Sequence, residues 1–293
     1  MVNKTIILVC SHNQQKILET PNIKPILVGA ALSHLDIYLY KDNIGENISN
    51  KNIEYNELTA QYWAWKNLPQ EFNYVGFFHY RRYLALKNTI FPKKFLPGLP
   101  GLMSAIFGFD EKNIAKLTQD FDIILPKKTA PLANLKNITM KEHFINNLGI
   151  EVFQNIEEII LREFPEMSEA FNVSIIEKNI YFKNIFVMQR KYFNDYMNFL
   201  FKVLFSFEEA KQKKHLETKQ RVYGFVAEYL LNVYTNHLII TSKNLRIAEY
   251  HLLRRYYINI FNLRYFNQQL AKLKKRLSLN YIKYIFSKTA KKG

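Results

Sequence analysis

Cysteine is almost absent from this sequence of 293 residues, in which Cys10 stands alone. A single thiol excludes an internal disulfide framework and a cysteine-based metal cluster, and it favours a reducing compartment. No run of eighteen apolar residues occurs, so no helix long enough to span a bilayer is expected. The apolar run at residues 5–10 is too short for the core of a signal peptide. These absences predict a folded protein of the cytoplasm.

Acidic residues are missing from residues 250–293, although this segment carries eleven Lys and Arg residues and the whole chain has a formal net charge of +16. Leucine and aromatic side chains recur there at spacings of three and four between the cations, a pattern typical of an amphipathic helix on a membrane surface. We therefore predict a domain of residues 1–249 and a basic helical tail, residues 250–293, that binds the anionic inner face of the cytoplasmic membrane. A helix that packs on the domain and a short coiled-coil arm are the alternatives for this tail.

The sequence before this tail alternates short β-branched runs with helical stretches, which predicts a layered α/β fold. Asn56 and Pro69 bracket a predicted helix over residues 57–67, and the apolar residues 74–78 predict a buried central strand that ends at His79. Residues 84–110 are rich in proline and glycine and predict a long irregular segment that acts as a lid. Further strands are predicted at residues 5–9, 26–31, 37–40, 121–126 and 184–188, and further helices at residues 155–164, 193–204 and 222–233.

Polar and aromatic motifs lie on both sides of the predicted central strand. Residues 57–67 read Glu-Leu-Thr-Ala-Gln-Tyr-Trp-Ala-Trp-Lys-Asn, and residues 79–83 read His-Tyr-Arg-Arg-Tyr. Together with Ser11-His12-Asn13, residues 42–49, Asp122, Asn184-Ile-Phe and Glu228-Tyr-Leu-Leu, they resemble the bacterial capsular polysaccharide and O-antigen glycosyltransferases. That family has a GT-A-like fold and includes β-galactofuranosyltransferases. The resemblance covers about residues 5–235 and implies a mixed sheet flanked by helices, a nucleotide-sugar donor and a glycan acceptor.

Glycosyl transfer from a nucleotide sugar requires neutralisation of the diphosphate leaving group. GT-A enzymes commonly use an Asp-X-Asp motif and a divalent cation, whereas here His79, Arg81 and Arg82 follow a buried strand. Arginine binds phosphate oxygens bidentately, so we predict a metal-independent transferase in which these side chains and Tyr80 bind the donor. In a continued strand, His79 and Arg81 face one side and Tyr80 and Arg82 the other, so only one pair need face the donor. Pairing with internal carboxylates such as Glu57, and use of a divalent cation, are the alternatives.

An inverting transfer also requires a carboxylate that deprotonates the acceptor hydroxyl, and Glu228, Asp122 and Glu57 are the candidates. Glu228 shares a predicted helix face with Arg221 and Gly224, and the glycine is expected to leave room for a ligand. Structural alternatives exist for all three carboxylates. Glu228 would form a surface ion pair, Asp122 would cap a turn, and Glu57 would favour the first turn of its helix.

The remaining substrate contacts are predicted from their position along the chain. Ser11 and His12 follow the first strand, where GT-A folds bind the base and ribose, and Asp42 or Asn43 would hydrogen-bond the nucleoside. Trp63, Lys66 and Asn184 are predicted to contact the sugar substrates, and core packing is the alternative for Trp63.

The predicted reaction transfers a hexose or hexofuranose, such as galactofuranose, from a UDP-linked donor with inversion. The predicted acceptor is a lipid-linked or oligosaccharide glycan of a capsule, O-antigen or lipooligosaccharide. A nucleic-acid-binding protein, motivated by the net charge, and a nucleotidyltransferase are the alternative classes. We predict that no nucleic acid is a partner, and the sequence leaves the oligomeric state open.

Overall fold

A computed structural model describes residues 3–88, 94–95, 100–133 and 136–255 of the chain. Its strands are β1 (Thr5–Ser11), β2 (Ile23–Leu27), β3 (Tyr40–Lys41), β4 (Tyr74–His79), β5 (Arg82–Leu84), β6 (Lys94–Phe95), β7 (Ile123–Pro126), β8 (Leu132–Ala133), β9 (Lys136–Asn137), β10 (Phe186–Gln189), β11 (Ile247–Tyr250) and β12 (Leu252–Arg255). Its α-helices are α1 (Asn52–Tyr55), α2 (Leu58–Asn67), α3 (Pro100–Phe107), α4 (Glu111–Asp120), α5 (Met140–Leu148), α6 (Ile150–Glu163), α7 (Ser168–Ile176), α8 (Arg190–Lys213) and α9 (Val222–Thr241).

The main sheet has ten strands within these residues, and the order along its centre is β11-β7-β10-β4-β1-β2-β3. Strands β1 to β4 are parallel to one another along this path, whereas β10 runs antiparallel to its neighbours β4 and β7. The carboxyl ends of β1 and β4 therefore lie at the same edge of the sheet, where Cys10 is paired with His79. Open α/β sheets bind their ligands at this edge.

Two apolar cores cover the two faces of the sheet, because successive residues of a strand point to opposite sides. In β4, Val75 and Phe77 belong to the first core, and Tyr74 and Phe78 belong to the second. The first core also contains apolar side chains of α2 and α5 to α9, and the second contains side chains of α3 and α4. The result is a mixed sheet flanked by helices, as the sequence predicts.

Four local predictions differ from the structure, and the first is the strand over residues 26–31, because β2 ends at Leu27 and Ala30–Leu32 form a 3-10 helix. The segment 84–110 is not irregular throughout, because α3 lies within it and the Phe107 side chain is buried in the second core. Strand β3 contains only two residues, and Leu39 just before it is 84% exposed and lacks the packing that a strand would provide. Asn56 does not cap α2; it follows α1 with a φ of +52°, and no side chain caps the amino end of α2.

The predicted tail begins inside the folded sheet. Strand β12 pairs with β5 and β6, and Leu253 is fully buried. Residues 252–255 therefore belong to the sheet, and residues 256–293, which carry most of the predicted tail, lie outside the described residues. In the part of the chain that the structure describes, no helix combines the length and the apolar character needed to cross a membrane.

Candidate functional site

A cleft lies at the carboxyl ends of β1 and β4 and consists of two adjoining chambers of about 200 and 290 Å³. The smaller is named the Glu228 chamber, because Glu228 lines it together with Arg82, Lys183, Asn184 and Phe225. The larger is named the His12 chamber, because His12 lines it together with Ser11, Val28, Asn52, Ile53, Asn56 and Gln220. The wall common to both chambers consists of Cys10, Glu57, His79, Arg81 and Arg221.

Arg81 and Arg82 both line the Glu228 chamber, whereas a continued strand would point them to opposite faces of the sheet. The strand does not continue past His79, because Tyr80 and Arg81 form a two-residue turn and Arg82 pairs back with His79 in β5. The Arg81 guanidinium lies 5.1 Å from the centre of the Tyr80 ring. Neither arginine forms an ion pair with a carboxylate among the described residues, so the alternative of internal pairing is not observed.

The two histidines of the cleft are held in a cationic environment that favours their neutral form. Burial, followed by the nearby arginines, lowers the pKa of His79 to about 3. Burial, Arg81 and Arg221 also lower the pKa of His12. The His79 Nδ1 atom accepts the backbone N–H of Arg81 at 3.2 Å, so the proton of the neutral ring lies on Nε2, which remains a hydrogen-bond donor.

Glu57 and Glu228 are the two carboxylates of the Glu228 chamber. Burial raises the pKa of Glu228, and this effect is partly offset by Lys183, whose Nζ lies 3.5 Å from Glu228 Oε1. Glu57 Oε1 accepts a hydrogen bond of 2.9 Å from Asn184 Nδ2, which also donates to the Gly224 carbonyl at 3.1 Å. One carboxylate is thus held by an amide and the other by an ammonium group.

Backbone strain is concentrated at the cleft. Asn56, Lys183 and Arg221, three of the four non-glycine residues with positive φ in the described chain, have φ values of +52°, +71° and +69° and line it. Such conformations cost about 1–3 kcal/mol each and cluster at functional sites. The folded chain therefore places these side chains at a cost in stability.

A profile of the DUF4422 family, a domain of unknown function, matches residues 6–239. The chain belongs to this family. Comparison with functionally curated proteins finds no match.

A solved structure of a glycosyltransferase resembles this DUF4422 domain. It is the apo structure of WbbM, a bifunctional glycosyltransferase, with a TM-score of 0.78 and 31% sequence identity. The alignment covers 87% of this chain and 46% of WbbM, so the chain spans about half of that protein's length. The fold class predicted from the sequence is confirmed by this similarity.

Asp42 is not positioned to bind a nucleoside, because its buried carboxylate is fully used inside the DUF4422 domain. It accepts the backbone N–H groups of Gly29 and Ala30 at 2.8 and 2.9 Å and the hydroxyls of Ser49 and Thr59. The sequence places a carboxylate after a strand, as in a ligand site, but the surrounding turns fold around it. Asn43, its neighbour, is exposed and does not line the described cleft.

Asp122 lies at the opposite edge of the sheet from the cleft. Met188 pairs with both Ile123 and Val75, so Asp122 is level with the start of β4, roughly 15 Å from its carboxyl end at the usual rise per residue. Its carboxylate accepts hydrogen bonds from the Arg246 side chain at 3.0 and 3.2 Å. A role as the acceptor base is therefore not supported by its position.

Asp122 is also the end of an Asp-X-Asp triplet, Asp120-Phe121-Asp122. The prediction of a metal-independent enzyme does not include this triplet as a possible metal-binding motif. Asp120 is the exposed last residue of α4, so the triplet lies beside β7 at the edge far from the cleft. In the described residues no group of three or more His, Cys, Asp and Glu side chains is arranged to hold a metal ion. Metal independence stays a prediction.

Trp63 and Lys66 on α2 do not line the described cleft. Trp63 is buried in the first core, and its Nε1 donates to the Ile44 carbonyl at 2.7 Å, so core packing explains it. Lys66 lies 3.3 Å from Glu46 and 4.0 Å from the centre of the Trp65 ring. Both residues stabilise the helix and its neighbouring loop.

Ser11, His12, Tyr80 and Asn184 lie at the cleft or directly behind it. Ser11 is buried and donates to the Asn13 carbonyl at 2.9 Å. Tyr80 lies in the second core and contacts the His12 ring edge-on, with the ring centres 5.5 Å apart. Tyr80 therefore supports the wall of the cleft from behind.

Sequence reasoning missed several residues of the cleft. The site residues predicted from the sequence do not include Lys183 or Phe225, and Arg221 is predicted only to share a helix face with Glu228. The Asn56 amide occupies the space beside Gly224, because a Cβ atom there would lie 2.8 Å from Asn56 Nδ2, and the further pocket that Gly224 lines holds only about 30 Å³. The sequence does place Lys183 directly before the candidate Asn184, and Arg221 directly before α9. The left-handed backbone conformations of Lys183 and Arg221, however, cannot be predicted from the sequence.

Proposed function

We propose that this chain is a glycosyltransferase that uses a nucleoside-diphosphate sugar as its donor. The proposal depends on one observation: Arg81, Arg82 and Arg221 line a single chamber with Glu57 and Glu228, and none of the three arginines forms a salt bridge with a carboxylate among the described residues. A diphosphate provides the negative charge that such guanidinium groups bind best. The similarity to WbbM, a glycosyltransferase, supports the same class.

In this proposal the donor lies across both chambers. The diphosphate binds at the common wall to Arg81 and Arg221, with the Nε2–H of neutral His79 as a further donor. The nucleoside occupies the His12 chamber, next to the end of β1. The sugar then lies in the Glu228 chamber beside Asn184, and Arg82, which lines the same chamber, contacts the diphosphate from the sugar side.

The transfer step takes place at the anomeric carbon of the sugar, with a base on the acceptor side and the diphosphate leaving group on the other. Glu228 takes the proton from the acceptor hydroxyl as its oxygen bonds to the anomeric carbon. The bond from that carbon to the diphosphate breaks, and the electron pair leaves with the nucleoside diphosphate, whose charge the arginines stabilise. Attack opposite the leaving group gives inversion. Glu57, fixed by Asn184, is the alternative base.

The substrates that we propose are a UDP-linked hexose or hexofuranose, including galactofuranose, and a growing capsule, O-antigen or lipooligosaccharide glycan. The acceptor is lipid-linked or an oligosaccharide. The basic segment 256–293 then holds the enzyme at the anionic inner face of the cytoplasmic membrane, because each Lys or Arg near such a surface contributes about 1 kcal/mol.

Thermal-shift measurements with UDP, GDP and CDP, each in excess EDTA and in manganese, test this proposal. We expect UDP to raise the unfolding temperature in EDTA, because a ligand at 100 times its Kd adds about 2.7 kcal/mol to the free energy of unfolding. If none of the three nucleotides shifts the transition under either condition, the proposed function is wrong. A shift that requires manganese would contradict metal independence only.

A further inference from the structure

Arg221 lines both chambers of the cleft, and its guanidinium is anchored through one nitrogen among the described residues. Its Nε donates a hydrogen bond of 2.7 Å to Asn56 Oδ1. The two terminal nitrogens have no protein partner in the described chain, although the side chain is exposed on the common wall. A guanidinium held in this way keeps the planar pair of N–H donors that binds phosphate oxygens bidentately.

The anchoring of Arg221 depends on an unusual backbone at both partners. Arg221 directly precedes α9 with φ of +69°, and Asn56 follows α1 with φ of +52°. No side chain caps the amino end of α9, so the positive end of the helix dipole adds to the cationic field there.

Gly224 creates the space in which Asn56 sits. A Cβ atom at this position would lie 2.8 Å from Asn56 Nδ2, so no larger residue fits unless the amide moves. The Gly224 carbonyl accepts from Asn184, which also holds Glu57. The glycine therefore connects the position of Arg221 to that of a carboxylate in the Glu228 chamber.

We infer that Asn56, seated against Gly224, is the positioning residue that orients the Arg221 guanidinium toward the diphosphate. This inference rests on the proposed function, because it takes a nucleoside diphosphate as the ligand. It deepens that function by assigning the residue that preorganises one of its cations.

Titrations of UDP and uridine into the full-length chain test the inference. Arg221→Ala should raise the Kd of UDP by about tenfold or more, since a hydrogen bond to a charged group is lost, and leave the Kd of uridine unchanged. Asn56→Gly should weaken UDP binding in the same selective way by a smaller factor. The double variant should bind UDP no more weakly than Arg221→Ala alone, because Asn56 acts through Arg221.

Asn56→Gly separates a positioning role from a merely structural one. Glycine adopts the positive φ at position 56 without strain, so the unfolding temperature should not fall although UDP binding weakens. Asn113→Ala is the control, because Asn113 Nδ2 likewise lies where a Cβ atom on a glycine, Gly108, would be, and Asn113 is not among the residues that line the cleft. It should lower stability and leave UDP binding intact.

Each result supports or overturns the inference. Selective loss of UDP binding in Arg221→Ala and Asn56→Gly supports it. Unchanged UDP binding, an equal loss for uridine, or additive effects in the double variant would overturn the inference while leaving the proposed function standing. If the unmodified chain binds no nucleotide, both are overturned.

Discussion

At the scale of single residues, Glu228 combines two properties of a general base. Its side chain lines the cleft with an exposure of 14%, and burial raises its pKa. A carboxylate whose pKa lies closer to neutrality takes a proton more readily in the transition state. Lys183, 3.5 Å away, stabilises the charged form that must be present before the proton is taken up.

Replacing Glu228 by Gln should lower kcat by about 10²–10⁴-fold, because the amide cannot accept the proton, and should leave the Kd of UDP unchanged. In the unmodified enzyme, kcat/KM should fall as the pH decreases through the raised pKa of Glu228, since the base acts only when deprotonated. Steady-state kinetics and UDP titration measure these effects. Asp122→Asn is the control, because that carboxylate lies at the other edge of the sheet. Near-normal turnover of Glu228→Gln, with loss in Glu57→Gln, would instead assign the base to Glu57.

His79 gives the domain a stability that depends on pH in a defined direction. Its pKa is 6.5 in an unperturbed chain and about 3 in the folded one, so between these values the unfolded state binds a proton that the folded state does not. The free energy of unfolding should therefore decrease as the pH falls from 6.5 towards 3.

His79→Gln should make the unfolding temperature less dependent on pH across this range, as measured by calorimetry. The exposed His34, replaced in the same way, is the control and should leave the dependence unchanged. Identical pH dependence in His79→Gln and the unmodified chain would show that the imidazole is not held neutral by the cleft.

At the scale of secondary-structure elements, the β4–β5 turn and β12 together set the position of the two adjacent arginines. Arg82 pairs with His79 across the turn and with Arg254 in β12. The Arg81 carbonyl accepts the backbone N–H of Arg255 at 2.9 Å. The end of the described chain therefore supports the cleft, although the sequence places this segment in a separate tail.

Two truncations distinguish this structural role from the proposed membrane contact. Ending the chain after Arg255 retains β12, whereas ending it after Tyr250 removes the strand and the fully buried Leu253. Loss of one such apolar side chain alone costs about 1.5–3 kcal/mol, so the shorter chain should unfold at a lower temperature and bind UDP more weakly.

The longer truncated chain tests the membrane contact without disturbing the sheet. Its unfolding temperature should equal that of the full chain. It should appear in the soluble fraction, whereas the full chain is expected in the membrane fraction. Equal unfolding temperatures of the two truncated chains would contradict the role of β12. Unchanged fractionation of the chain that ends at Arg255 would contradict a membrane-binding segment at residues 256–293.

At the scale of the whole molecule, sequence periodicity predicts the layers of the fold but only part of the site. The apolar run that ends in His79 predicts the central strand because burial on both faces requires continuous hydrophobic residues. The polar residues after it consequently mark the sheet edge where the cleft lies.

The rest of the site depends on tertiary contacts that leave no local pattern. Lys183 and Arg221 reach the cleft through left-handed backbone conformations, and Asn56 is set by the space beside Gly224. Asp42 is a residue that the sequence wrongly places in the site. A polar residue after a strand predicts a ligand contact, but four hydrogen-bond donors of the domain itself bind the Asp42 carboxylate. Composition and spacing carry no information on which of these environments the folded chain provides.

The whole cleft has more positive than negative groups, and this imbalance is the basis of the proposed chemistry. Arg81, Arg82, Lys183 and Arg221 share the Glu228 chamber with Glu57 and Glu228. Lowered pKa values keep the neighbouring histidines neutral, so they do not add to the excess of charge. This excess of positive charge is what the diphosphate of the proposed donor would neutralise.

Release of UDP from a panel of UDP-hexoses and UDP-hexofuranoses in excess EDTA, with a glycan acceptor present, tests this central claim most directly. The unmodified chain should turn over at least one donor without added metal, and Arg81→Ala and Arg82→Ala should each lower kcat by about tenfold or more, since each removes a hydrogen bond to developing charge. Turnover that is abolished by EDTA, restored by manganese and unaffected by either arginine substitution would contradict the account.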